Sequence, residues 1–169
     1  HTPSPFVHRT AANSRHRLPH SRLRRLYPEY GIDYESNFIH YLEKGVRPFR
    51  MPNGVLQYPI TFMDDVWAES REGGTELPDI ERLLSPDGFD VLIFHPIHVY
   101  LNTPSGAYYE ENKEHYHDPE ALLGLRSTGP GVRDLFESVL RWISDSDRQA
   151  RTLAAVTGEL NAEPGRGGT

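Results

Sequence analysis

The sequence predicts an α/β fold, and three observations carry that prediction. Apolar runs within Val55–Phe62 and over Phe89–Phe94 are short and rich in β-branched and aromatic residues, as strands are. Leu77, Ile80, Leu83 and Leu84, and later Val132, Leu135, Phe136, Val139, Leu140 and Ile143, recur at helical spacing. The second apolar run follows a helix and lacks polar alternation, which suits a strand of a parallel sheet buried on both faces.

In chain order, residues 1–14 are polar with two prolines and read as a loop or a truncated remnant. Leu23, Leu26, Tyr27 and Tyr30 imply a short amphipathic helix over about 20–30, ended by Gly31. Ile32–Ile39 reads as a strand with its turn. Two prolines and Asn53-Gly54 break residues 44–54 ahead of the first long apolar run. Thr75 caps the next helix, Pro78 falls in its first turn, and Gly88 closes it. Residues 102–128 read as a long polar loop, a length that is usually functional. A short helix over Arg151–Leu160 precedes a tail, 161–169, whose composition predicts disorder.

Composition narrows the chemistry. The 169 residues suffice for one domain with its own core. There is no cysteine, so disulfides, thiolate zinc sites and thiol nucleophiles are excluded, and any metal falls to His, Asp or Glu. No run of about 18 apolar residues exists to span a membrane, nor is a secretion signal visible; a complete chain would be cytoplasmic. The net charge of −6 is uneven: residues 1–50 hold nine Lys/Arg against four Asp/Glu, and the remainder nine against twenty. Arg15, Arg17, Arg22, Arg24 and Arg25 suggest a nucleic-acid binder, but no aromatic residues interleave them and the acidic remainder repels phosphate.

Nine histidines are present, and their placement matters more than their number. His16 and His20 stand at i, i+4, where two imidazoles converge on one ion if the segment coils; surface histidines near a helix start have the same spacing. His95 follows the second apolar run directly, with His98 three residues on. Groups at the carboxyl end of a buried strand face the active-site crevice of α/β folds, and a histidine there is a general acid or base, or a satisfied strand-end residue. Asp64 and Asp65 end the first apolar run, where a carboxylate orients a histidine, binds a metal or caps a solvated turn. Arg50 lies in a stretch fixed by Pro52 and Asn53-Gly54 and is a partner for a buried carboxylate. His115 and His117 lie in the long polar stretch and read as exposed loop residues.

In order, these pieces resemble the polysaccharide deacetylase family of carbohydrate esterases, in a divergent branch associated with cell-surface polysaccharide genes. His16-Arg17-Leu18-Pro19-His20 resembles the family's paired-histidine motif, with Arg17 where Ser or Thr is usual. Phe49-Arg50-Met51-Pro52-Asn53-Gly54 resembles its arginine turn, Met63-Asp64-Asp65-Val66-Trp67 its Asp–Trp segment, and Val91–His95 its strand ending in histidine. The resemblance covers residues 15–160 as a partial domain, implying an incomplete distorted (β/α) barrel. No counterpart of the family's Asp-rich first motif precedes His16: residues 1–14 contain no Asp or Glu.

The resemblance implies hydrolysis of N- or O-acetyl groups on a polysaccharide or oligosaccharide. It assigns a divalent ion, zinc in most members, to His16 and His20, proton donation to His95 helped by Asp64 or Asp65, and support of the base carboxylate to Arg50. His98, Trp67 and Asn102 are then the expected substrate contacts. A non-catalytic carbohydrate-binding pseudoenzyme is the alternative; acetate release from acetylated oligosaccharides separates the two. An incomplete barrel exposes strand edges, so marginal stability is expected.

Overall fold

The computed structural model describes residues 24–71, 76–85 and 88–162. His16, His20, Thr75 and the 161–169 tail beyond Ala162 lie outside the described residues. The strands are β1 (Tyr34–Glu35), β2 (Phe49–Arg50), β3 (Leu56–Gln57), β4 (Phe62–Met63) and β5 (Leu92–Ile93). The helices are α1 (Asp64–Glu69), α2 (Ile80–Leu83), α3 (Pro96–Leu101), α4 (Gly106–Asn112), α5 (Pro119–Gly124), α6 (Val132–Asp145) and α7 (Leu153–Ala162). The fold is mixed α/β. Among the described residues the strands form one three-stranded and one two-stranded sheet, without closing a barrel.

The chain divides into two compact units. The first gathers residues 24–38, 47–59 and 150–162. Its sheet runs β1-β3-β2, with β3 parallel to β1 and antiparallel to β2. Asn53-Gly54 makes the β2–β3 connection as the sequence suggests: Gly54 has φ 85°, its N–H donates to Met51 O (2.9 Å), and Val55 N donates to Asn53 Oδ1 (3.2 Å). Tyr58, fully buried, hydrogen-bonds Thr157 of α7 through its hydroxyl (2.8 Å). The expected helix near 20–30 is interrupted: residues 24–26 are helical, and Pro28–Tyr30 form a 3₁₀ turn closed by Gly31 at φ 67°. Pro28 has no N–H to continue the helical ladder.

The second unit holds residues 39–46 and 60–149. Phe62, Trp67, Ala68, Leu83, Leu84, Val132 and Leu135 form its core, and Phe94 packs there against both Phe62 and Phe136. The long apolar run is buried from Val55 to Phe62, yet Pro59, without an N–H, separates β3 from β4. β5 pairs with β4 in parallel, as expected, but it is half-buried rather than covered on both faces.

Two further expectations are corrected. Helix α2 begins at Ile80, capped by Asp79, whose side chain accepts from Glu81 N (3.0 Å), so Pro78 precedes the helix instead of entering it. Residues 102–128 are largely helical, not loop. Ser105 caps α4 by accepting from Tyr108 N (3.2 Å), and Asp118 caps α5 by accepting from Glu120 N and Ala121 N (3.1 Å each), with Pro119 at the first helical position. The polarity that reads as loop is the solvated face of short helices.

Candidate functional site

The site grows from the register of two strands. β4 and β5 run parallel with Phe62 opposite Leu92 and Met63 opposite Ile93. Asp64 is the first residue past β4 and starts α1; His95 stands two past β5 and caps α3 ahead of Pro96. Both carboxyl ends therefore open on the same edge, where α/β folds place their chemistry. Asp64 Oδ2 accepts from the His95 backbone N–H (2.6 Å), while Asp64 Oδ1 and His95 Nδ1 are hydrogen-bonded. The Asp64 side chain is 0% exposed and that of His95 10%, so the carboxylate is sealed and the imidazole keeps an opening.

This pairing has a definite chemical meaning. A carboxylate only accepts, so the proton between the two groups belongs to Nδ1. Asp64 thereby fixes the ring and leaves Nε2 as the atom that exchanges protons with a reactant. His98, on the first turn of α3, is also buried; its ring lies edge-on to His95, with centroids 5.6 Å apart. Its Nδ1 is hydrogen-bonded to Thr103 Oγ1 (3.2 Å), and the Tyr109 ring packs against it (4.6 Å).

The remaining candidates make contacts of their own. Asp65 is half-buried, and its Oδ1 accepts from Val66 N (2.7 Å). Burial first, then the Asp65 carboxylate, raises the Tyr41 phenol above its usual range, against a hydrogen bond with Ser70 that lowers it. Trp67 lies in the core, 6% exposed, under the Arg71 guanidinium at 4.5 Å. Asn102 is 5% exposed: its Nδ2 donates to Gly129 O and Asp134 Oδ2 (2.9 Å each), and its Oδ1 accepts from Arg133 N (2.9 Å). Neither placement offers a sugar an open side chain. Arg50, in the other unit, donates to Gly54 O (2.8 Å) and Asn161 Oδ1 (2.9 Å). Arg24, from the basic cluster, pairs with Glu35 (2.9 Å). Thr103 and Tyr109 escaped the sequence reading; Thr103 lies in Asn102-Thr103-Pro104-Ser105, a turn signal that says nothing of a bond back to His98.

Asp64, His95 and His98 each bring one ligand-type atom to within 4.8 Å of the others. The donor types suit a divalent ion such as zinc. Within the cluster Asp64 and His95 form a hydrogen-bonded pair, with the His98 imidazole beside them.

A mixed α/β fold with a buried Asp–His pair at parallel strand ends has the groups that general acid–base chemistry needs. The profile of the WbmS-like polysaccharide deacetylases matches residues 5–113, well over half of the chain, and the chain belongs to that family. Among solved structures it is similar to WbmS of Bordetella bronchiseptica, a candidate polysaccharide deacetylase involved in O-antigen biosynthesis, at 28% identity and a TM-score of 0.65. That match covers 74% of this chain and 52% of the relative, so the chain spans about half of the relative's length. No functionally curated protein matches significantly.

Proposed function

We propose that this chain is part of a metal-dependent deacetylase that removes N- or O-acetyl groups from a cell-surface polysaccharide, with residues 15–160 contributing to an incomplete barrel. The buried Asp64–His95 pair at the ends of β4 and β5 is the observation that carries this reading. Asp64 holds one proton of His95 on Nδ1 and stabilises the imidazolium that forms when Nε2 takes up a second proton from water. That Nε2 proton then passes to the departing amine or alkoxide as the acetyl carbon–heteroatom bond breaks. Neutralising that leaving group is the step for which a histidine near neutral pH is suited. We assign capture of the ion, zinc by the chemistry of paired imidazoles, to His16 and His20. Bound there, it supplies Lewis-acid polarisation of the acetyl carbonyl and activation of water. Arg50 is assigned to holding the carboxylate of the catalytic base, which the family's Asp-rich first motif supplies and for which residues 1–14, without Asp or Glu, offer no counterpart.

Acetate release from acetylated oligosaccharides, with zinc or cobalt added, tests the reading. His95→Ala should lower kcat about 10²–10⁴-fold. Turnover unchanged in His95→Ala defeats the assignment of the donor. Saccharide binding without any acetate release would favour a carbohydrate-binding pseudoenzyme instead.

A further inference from the structure

We propose that His98 is a positioning residue for His95: its buried ring sets the plane in which the His95 imidazole meets Asp64. One hydrogen bond locates one atom of a ring, but the ring's plane needs a second contact. His98 supplies that contact, since the two rings meet edge-on at 89° with centroids 5.6 Å apart.

His98 is itself held on several sides. Tyr109 packs against it at 65° and 4.6 Å, and Thr103 Oγ1 is hydrogen-bonded to its Nδ1 (3.2 Å). Thr103 is fully buried and cannot follow a moving ring: its N–H donates to His98 O (3.0 Å), and its carbonyl accepts from Val132 N at the start of α6 (3.0 Å). The chain of support runs from α6 through Thr103 to His98, and from His98 to His95. Burying an imidazole is costly unless its nitrogens are hydrogen-bonded, so Thr103 also offsets the penalty of placing a polar ring here. The catalytic consequence rests on His95 being the proton donor; the structural consequence does not.

Long-range ¹H–¹⁵N NMR of the imidazole nitrogens reads the position of the His95 proton directly. The wild-type ring should give the signature of a single Nδ1–H tautomer. In His98→Ala that signature should collapse toward an average of both tautomers. In an active preparation, kcat should fall about 10- to 100-fold while KM stays within about twofold. His98→Phe restores a ring against His95 and should rescue both readouts. An unchanged His95 signature in His98→Ala overturns the proposal, as does failure of His98→Phe to rescue at an unaltered melting temperature. Should His98→Ala not fold, Thr103→Val releases His98 with little change in volume, and an undisturbed His95 tautomer there overturns it equally. Unchanged turnover in His95→Ala would instead remove His95 as the proton donor and leave the NMR test of His98 standing.

Discussion

Asp64 has little freedom to vary, because it answers two donors of one residue, His95 N–H and His95 Nδ1–H. An asparagine there has one acceptor atom and one donor group, so its amide either meets the His95 backbone N–H donor to donor or turns to Nδ1 and drives the imidazole proton to Nε2. Asp64→Asn should cost about 1–3 kcal/mol in urea unfolding. It should also lower acetate release comparably to His95→Ala, since the ring loses its fixed tautomer. Asp65→Asn should change neither by more than about 0.5 kcal/mol or twofold, because its carboxylate serves its own helix start. The sequence placed both acids and His95 at strand ends, which is as far as an apolar run followed by a charge can lead. It could not choose between Asp64 and Asp65, because that choice rests on the one-residue register of β4 against β5. Nor could it reach Thr103, whose bond to His98 depends on Asn102 adopting the left-handed conformation at φ 50°.

Elements depend on a few joints that local sequence does not announce. The start of α6 is one: Gly131 has no side chain to cap it, and Asn102 does so from a distance, accepting from Arg133 N. A Cβ at Gly131 would fall 2.1 Å from Asn102 O. Gly131→Ala should therefore destabilise by about 1–3 kcal/mol, read as a lowered urea midpoint. Asn102→Gly keeps the left-handed backbone while removing the cap, and should lose a similar amount. Both effects would reach the site through Thr103. Such remote capping explains why the α6 stripe was legible from periodicity while the helices at 106–124, too short and polar for a stripe, were not. The joint of α7 is Tyr58. Burial, the largest influence, raises its phenol, while the Thr157 hydrogen bond pulls it down. A raised phenol favours the neutral folded form, so this contribution is intact below about pH 10 and fades as pH rises through the folded value. Tyr58→Phe should cost about 0.5–1.5 kcal/mol at neutral pH and flatten the alkaline fall of the urea midpoint.

At the scale of the whole molecule, the two units are not successive stretches of chain. The polypeptide passes between them after residues 38, 46, 59 and 149. Neither unit can be completed without threading segments of the other, and that favours one cooperative transition over two. The two tryptophans make this testable, because Trp67 and Trp142 both belong to the second unit. Tryptophan fluorescence therefore follows the second unit alone, while far-ultraviolet circular dichroism follows helices and strands of both. The expected outcome is a shared urea midpoint for the two signals; midpoints separated beyond error would mean that the units unfold independently. The transition should also be a weak one. Among the described residues every strand is two residues long, and large apolar side chains such as Leu123 and Tyr30 stay 61% and 76% exposed. Few ladder bonds and open apolar surface together predict melting below about 60 °C with rising light scattering. A clean monomeric melt above that temperature would show that the short strands are better supported than their ladders suggest.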